Sequence, residues 1–550
     1  MYGTCRDIAF VAAALVLCAG GFLMNGCADS VSGARIANEP PRTFLWTDTL
    51  NLVQSSQVRV HWWGDDPDGF VQGYLVSIDG IQWNWTTSQE STFTIALGGV
   101  DSILAMIRVS AVDERGNGRR DASVSAGGIT FGPEPFADAD SNGMYTEGEA
   151  FVDFGAIDPT PAFLNVAVKN TPPTVDFVQN TDIPAVTLPV ASFLLQGRDV
   201  DGNETIVRYF VALNDTAGTW TELPGSISLL TLSGDLSNPS DTVVSAKIFS
   251  GTGLTDPGIS IPGMALNANN VLWVYAEDIA GSRGAVSRMP DTTRTWFVKK
   301  PSVRRKLLVI DDFSGGTPNP DVVYASALDS AQDGSGSTFG DYDVLDLQTN
   351  PIPGALHIPM LLQTMRQYSM VFWYARIANF NYAQNTLPDY MNGGGKVLMT
   401  TGFQNFVDPL GLPIDFAPVD SLITEYVDSV GNPVYGYISR VYGTSVVSST
   451  DTTRYPRMVV AGSSSSATLF GYYAITPALG DSAIYRLDLP RQDLPSPEPW
   501  LGTPPVGIRS NNGRMIFFSF PLYLLGSTDE EGRNRLIRFF ESVLRDDFGG

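Results

Sequence analysis

The chain has 550 residues, 43% of them hydrophobic, with 58 acidic side chains against 34 basic ones and a net charge of −24. That length and apolar content suit three or four domains, each with its own core. The negative charge repels phosphate polymers and anionic lipid, which excludes nucleic acid as a partner unless a local basic patch overrides it.

The N-terminus opens with "MYGTCRD" and passes into "IAFVAAALVLCAGGFLM", an apolar run about long enough to cross a bilayer. It ends at "LMNGC", where Gly26 precedes Cys27. This resembles the lipobox of bacterial lipoproteins, although Met24 and Asn25 depart from the usual pattern and Asp7 offsets Arg6 in the leader. The resemblance implies a signal peptide over residues 1–26, a lipid on Cys27 that anchors the chain to the membrane, and, with Ala28 next, the outer membrane. Cys5 and Cys18 would leave with the leader. The mature chain then has no disulfide, no thiolate nucleophile and no cysteine-held metal. Residues 27–42, small, polar and Pro-containing, read as a tether.

An internal repeat of about 130 residues follows. The first copy begins "VRVHWWGDDPDGFVQGYLVSIDGIQWNWT" and the second "ASFLLQGRDVDGNETIVRYFVALNDTAGTWTEL". Each holds an alternating strand, a Gly-x-Asp-x-Asp-Gly turn, a second strand with Tyr, and a Trp. Later strands match as well, "MIRVSAVDERGNG" with "VLWVYAEDIAGSRG". Period-2 alternation broken by Asp-Gly and Gly-Asn turns predicts antiparallel β-sandwiches. The copies resemble fibronectin type III or immunoglobulin-like modules of bacterial surface proteins, with "TPP" at residues 171–173 between them. Asp65, Asp66, Asp68, Asp199 and Asp201 in the turns are expected to cap backbone N–H groups rather than hold metal.

Within the first module, "DADSNGMYTEGE" (138–149) fills every constrained position of an EF-hand loop. Asp138, Asp140 and Asn142 take positions 1, 3 and 5, and Gly143 takes the sharp turn. Met144 offers its carbonyl at position 7, Thr146 stands at 9, and Glu149 is the bidentate ligand at 12. From Asp121 to Val168 there are eight carboxylates and no Lys or Arg, a repulsion that a divalent cation would relieve. The flanks "GGITFGPEPFA" and "AFVDFGAIDPTPAF" lack helical periodicity, so a free-standing structural calcium site, set before the last strand "AFLNVAVKN", is expected.

"KKPSVRRK" (299–306) reads as a solvated linker. Beyond it, buried runs "KLLVIDDF", "YDVLDL", "SMVFWYA" and "KVLMTTG" alternate with helix-compatible stretches, which predicts a parallel sheet covered on both faces. The chain closes with "RMIFFSFPLYLL" and a helix. Thr528 and Glu531 fit a capping box for it, and Leu536, Phe539, Phe540, Val543 and Leu544 form its apolar stripe. The unit resembles the class I glutamine amidotransferase-like fold, flavodoxin-like in outline, in "LLVIDD", "MVFWYA", "YMNGGGKVLMTTG" and "GRMIFFSFPLYLL". In that family a Cys on a sharp turn works with a downstream His and Glu. The matching turn, "VLMTTGFQN", offers Thr400, Thr401 and Gly402 and no Cys, and no His-x-Glu follows. His61 and His357, the two histidines of the sequence, read as structural, and "GSGSTFGDYD" lacks the Lys of a phosphate cradle.

The expected protein is therefore multidomain. It has two all-β sandwiches, module 1 over 43–171 with its calcium-loop insertion at 134–153 and module 2 over 172–300. An α/β flavodoxin-like domain follows over 303–550, with an insertion at about 408–512. It would bind or scaffold at the cell envelope without catalytic residues, toward polysaccharide or another envelope protein. Trp62, Trp63, Trp83 and Trp85 are candidates for a sugar platform, although strand alternation sends half of them to the core. A possible ligand cleft lies at Asp311, Asp312 and Thr401, at the ends of parallel strands. The alternative is a carboxylate-dependent enzyme acting on envelope or extracellular glycans.

Overall fold

Alternating apolar residues need a partner layer, and how each face finds one determines the architecture. The computed structural model describes residues 37–47, 53–54, 56–97, 102–315, 320–377, 380–403, 412–422, 425–427, 433–435, 437–442, 445–460, 467–488, 503–525 and 530–549. The apolar leader, Cys27, most of the tether and Thr528 lie outside the described residues. The chain is multidomain and, among the described residues, mostly β, 42% strand and 14% helix. It divides into two compact units at Lys169/Asn170, the first holding module 1 and the second nearly all the rest.

In module 1, strands β1 (Arg42–Trp46), β2 (Gln57–Asp65), β3 (Val71–Ser77), β4 (Asn84–Thr86), β5 (Glu90–Thr94) and β6 (Ser102–Asp113) precede a short hairpin, β7 (Val124–Ala126) and β8 (Ile129–Gly132), and a last strand, β9 (Ala162–Lys169). One sheet runs β1-β2-β5 and the other β9-β6-β3-β4. Trp62 and Tyr74 meet edge to face between the sheets. Neighbouring Leu75 points to the opposite face of β3, where it joins Val112, Phe131, Phe154 and Ile157 in a second small core. The segment between β6 and β9 therefore covers what would be a solvated sheet face, and β3 is buried on both sides. Gly73 permits this: a Cβ there would lie 2.4 Å from the Trp85 ring.

Module 2 repeats the plan. Strands β10 (Thr174–Phe177), β11 (Val190–Arg198), β12 (Ile206–Leu213), β13 (Thr221–Pro224), β14 (Leu229–Gly234), β15 (Val243–Ser250), β16 (Ser260–Ala265), β17 (Leu272–Asp278) and β18 (Ser287–Met289) form sheets β10-β11-β14-β15-β16 and β13-β12-β17-β18. Phe193, Leu195, Tyr209, Val211, Leu232, Val274 and Trp296 fill the space between them.

Most of the remaining described residues build a nine-stranded sheet, and three two-stranded sheets accompany it. Its elements are β19 (Leu307–Asp312), α1 (Pro320–Leu328), β20 (Tyr342–Asp346), α2 (Gly354–Met365), β21 (Met370–Ile377), α3 (Phe380–Asn392), β22 (Lys396–Gly402), β23 (Ser445–Ser449), β24 (Met458–Val460), β25 (Ser482–Asp488), β26 (Pro505–Arg509), β27 (Met515–Phe518) and α4 (Glu530–Phe540). The order is β20-β19-β21-β22-β27-β26-β25-β23-β24. The first five strands are parallel and the rest antiparallel. Strand alternation sorts the core: Leu307 and Val309 pack with α1 and α4 on one face, and Leu308 and Ile310 pack with α2 and α3 on the other. The stripe read on the last helix is fully buried.

The second face continues into module 2, through Leu188, Val190, Leu229 and Leu254. Gln363 Nε2 donates to Ser233 Oγ at 3.1 Å across that contact. Module 2 and the α/β sheet are thus welded, which changes the reading of "KKPSVRRK". Instead of a solvated linker it is a run of ion pairs and backbone contacts. Arg304 pairs with Asp333 and Asp341, Lys306 with Asp333, and Lys299 with Asp343. Lys300 Nζ donates to the Asp241 carbonyl, and Arg305 to that of Leu236. Burial alone would raise the Asp333 carboxyl, but Ser335 and the Arg304 guanidinium more than offset it and hold it well below the carboxylate range. The "GSGSTFGDYD" loop serves this weld, its Ser335 and Ser337 amides donating to Asp333.

Candidate metal centre

The 138–149 loop is closed at its base by an antiparallel bridge between Phe136 and Phe151, with the Ala137 N–H donating to Ala150 O at 2.8 Å. No helix flanks it. Tyr145 packs edge-on against both Phe136 and Phe151, and the Arg120 guanidinium lies 4.8 Å from the Phe136 and Tyr145 ring centres. This aromatic clamp stands where paired helices would otherwise fix the loop.

Ser141 at φ 58° and Gly143 at φ 76° turn the chain back on itself. Asp138 then accepts the Asn142 N–H at 3.1 Å and the Gly143 N–H at 2.9 Å. The Gly143 amide, the largest influence, holds the Asp138 carboxyl below its ordinary range. Glu149 folds back to accept from the Ala139 and Thr146 amides, both at 2.8 Å. The result places carboxylate oxygens of Asp138, Asp140 and Glu149 within 4.8 Å of one another.

The donor set tests what could sit there. It is all oxygen, with no imidazole or thiolate, which fits a hard divalent cation such as calcium rather than zinc. Asp138, Asp140 and Glu149 would hold it, with Asn142, the Met144 carbonyl and Thr146 completing the ring. Asn142 Nδ2 now donates to Asp140 at 2.7 Å and Thr146 Oγ1 at 3.1 Å, so a cation requires that amide to turn its oxygen inward.

Three acids of the cation-free stretch are not free to repel the loop, contrary to the expectation from sequence. Glu134 is fully buried and accepts the Phe154 and Asp121 amides, each at 2.7 Å. Asp153 accepts from Asn117 and Gly118, and Asp158 from Thr43 and Thr160. These carboxylates are structural, and Arg120, just outside the cation-free stretch, reaches into it. The repulsion to be relieved comes from the loop's own acids.

In the Asp-rich turns, Asp66 and Asp199 accept the Asp68 and Asp201 amides as expected, and the same turns take part in a clamp that the sequence did not reveal. Asn38 Nδ2 donates to Asp113 at the end of β6, and Glu39 N–H to Asp68 in the first turn. Asn170 Nδ2 donates likewise to Asp278 at the end of β17, and Thr171 N–H to Asp201 in the second. "NEPP" and "NTPP" are thus one repeated motif that clamps each module's incoming chain. Asp278 is 1% exposed, so Asn170→Ala leaves a buried carboxylate short of a donor. It should cost about 1–3 kcal/mol in a urea titration, and a change under a few tenths would refute the clamp.

At the other candidate site, Asp311 and Asp312 end β19 beside Tyr374 and Ala375 of β21. Successive strands depart in opposite directions there, the place where open parallel sheets take ligands. Tyr374 Oη donates to Asp321 at 2.9 Å and also contacts the Asp311 carboxyl. Burial, aided by the negative charges of Asp321 and Asp346, pushes Asp311 up to about 6. One phenol proton serves one acceptor, so Tyr374 satisfies one of the two carboxyl groups at a time. Asp312 accepts from Gln348 Nε2 at 2.8 Å. Thr401 is a correction: it is fully buried, and its hydroxyl turns onto the Gly402 carbonyl. Thr400 ties β22 to the chain after β27, donating to Phe520 O and accepting from Leu522 N–H. His357 is buried, stacked on Tyr382 and pushed down to about 4 by burial, a neutral structural group.

Because the folded carboxyl of Asp311 titrates above its ordinary value of 3.8, its contribution to stability is complete below that value and lost as pH rises through about 6. Asp311→Asn should therefore stabilise the protein at pH 7 by about 1–2 kcal/mol, a figure discounted for partial exposure. It should also flatten the decline of melting temperature between pH 4 and 6. Destabilisation of the variant at pH 7 would contradict the assignment.

The aromatic candidates do not form one platform. Trp62 is core, Trp63 is exposed on β2 and stacked with Phe44, and Trp83 and Trp85 pack on Phe131 and Phe154 on the other sheet.

Fold and site together define a multidomain, β-rich protein with an oxygen-donor loop suited to a hard cation. No protein-family model matches the chain, and no curated protein matches it. Solved structures similar to parts of it include three that are each 13% identical. A ThuA-like protein from Bacteroides uniformis aligns over 44% of this chain and 91% of its own, with a TM-score of 0.29. Fibronectin(III)-like modules of Clostridium thermocellum CbhA align over 46% and 94%, with 0.17. The alpha-L-fucosidase isoenzyme 2 of Paenibacillus thiaminolyticus aligns over 44% and 33%, with 0.26.

Proposed function

We propose that this is a lipid-anchored protein of the bacterial cell envelope, held at the outer membrane through Cys27, that binds or scaffolds polysaccharide or another envelope protein. Calcium in the 138–149 loop braces its first module. Both modules are fibronectin III or immunoglobulin-like sandwiches, and the α/β domain is a flavodoxin-like, amidotransferase-like unit without the catalytic residues of that family. The observation that carries this reading is the convergence of Asp138, Asp140 and Glu149 within 4.8 Å on a loop held by its own amides. Extracellular calcium modules bind at about 10⁻⁴–10⁻³ M, which suits a permanent structural ion. Limited proteolysis of the full chain tests it: calcium should suppress cleavage between residues 134 and 153, and equal cleavage in EGTA would defeat it. An alkyne-palmitate label that survives Cys27→Ala would remove the anchor.

One observation favours a second reading, a carboxylate-dependent enzyme acting on envelope or extracellular glycans. Asp311 and Asp321 both meet the Tyr374 hydroxyl, a pair in which Asp311 holds its proton to higher pH than an ordinary carboxyl. Release of reducing sugar from envelope glycans, abolished by Asp311→Asn, would establish it.

A further inference from the structure

Module 1 carries a concave feature that the calcium clip does not explain. A cleft of ≈ 990 Å³ is walled by Trp83, Trp85, Phe131, Phe136, Phe154 and Arg120, at the upper end of the size range of ligand sites. Its walls are preorganised. Trp83 meets Phe131 edge-on at 4.7 Å, Trp85 lies 4.8 Å from Phe154, and Gly73 leaves room for the Trp85 ring.

The polar groups of the cleft narrow the chemistry. Glu134 lines it, but both its oxygens already accept backbone amides and it is fully buried. Arg120 gives Nε to the Glu134 carbonyl and stacks on two rings; its terminal nitrogens have no hydrogen-bond partner among the described residues. The Trp83 indole N–H is buried without an acceptor. Gln82 and Asn84, both exposed, stand at the rim with Thr130. Aromatic faces beside uncharged amides, which both donate and accept, complement a pyranose: an apolar C–H face ringed by hydroxyls that do the same. An acidic polymer would meet Asp138, Asp140, Glu147 and Glu149 next door and a chain of net charge −24. A proline-rich peptide would use the aromatic walls but leave the amide donors with few acceptors.

We infer that this cleft binds a neutral glycan chain. The inference rests on the envelope-binding reading and names its ligand class. The calcium loop borders the site, because Phe136 of the cleft wall packs on Tyr145 of the loop.

The test titrates the full chain in detergent with neutral hexasaccharides of glucose, mannose or N-acetylglucosamine in millimolar calcium, following tryptophan fluorescence. At least one should bind saturably, and Gln82→Ala with Asn84→Ala should weaken it about tenfold, as should Arg120→Gln. The two rim residues are exposed, so their variant should fold, which its melting curve checks. No saturation with any hexasaccharide, binding indifferent to the rim variant, or saturation by a proline-rich peptide in its place would each overturn the inference. Calcium separates the two readings. A chain still stabilised by calcium that binds no sugar refutes the cleft and leaves the clip, whereas sugar bound equally in EGTA supports the cleft and counts against the clip.

Discussion

Melting the full chain in 10 mM calcium rather than EGTA should raise the transition of its first module by about 5–10 °C. The size follows from linkage: a site with a dissociation constant of about 10⁻⁴–10⁻³ M stabilises the folded state by about 1.4–2.7 kcal/mol at that concentration. For a domain of about 130 residues each kcal/mol moves the midpoint a few degrees. The effect should fall on module 1, since the loop closes on its own Phe136–Phe151 bridge and on Arg120. Magnesium should do much less, because its smaller octahedral shell dehydrates reluctantly. Asp138→Asn with Glu149→Gln should abolish the shift while leaving the melting temperature in EGTA near that of the parent. A shift that survives the double substitution would place the ion elsewhere.

Asp547→Ala should cost about 2–4 kcal/mol, the largest effect expected of a single substitution here. The Asp547 side chain is fully buried and pairs with Arg454 and Arg509, and Tyr455 Oη donates to it at 2.6 Å. It gathers β26 and the approach to β24 onto the turn of helix that follows α4. Removing it leaves two guanidinium groups and a phenol without their shared acceptor. The cost stays below the extreme for buried pairs because Arg454 and Arg509 remain 36% and 29% exposed and can turn toward water. Asp547→Asn should recover part of the loss. Urea unfolding monitored in EGTA measures this apart from calcium, and a cost under 1 kcal/mol would show that the cluster is ornamental.

The regular elements were legible because burial writes its period into the residues. β2 alternates, β19 and β22 are continuous apolar runs, and α4 shows its stripe; each is buried as that pattern requires. α3 is only weakly marked, as a stretch between two apolar runs, because Asn residues and Pro388 hide the helical spacing of Phe380, Ala383, Leu387 and Tyr390. Which outer faces would be covered was not legible. Leu75 and Leu229 look like residues of any sandwich, and only the fold shows the insertion over one and the α/β domain against the other. The basic run 299–306 misled because its acidic partners, Asp333, Asp341 and Asp343, lie far along the chain.

The candidate metal site was readable in spacing and misread in charge. Position by position the loop announces its oxygens, and the structure gathers three of its carboxylates. Glu134, Asp153 and Asp158 look identical in sequence but belong to backbone amides. The Asn clamps were visible in principle, once "NEPP" is set against "NTPP". Asp321 and Tyr374 could not be paired with Asp311 without the strand order that makes β19 and β21 neighbours.

Native mass spectrometry of the full chain in detergent, equilibrated with calcium, tests the proposed calcium clip most directly. The proposed calcium clip expects one bound calcium per chain, lost on Asp138→Asn with Glu149→Gln and unaffected by Asp311→Asn. A chain that carries no calcium, or keeps it in the Asp138 and Glu149 variant, would contradict it.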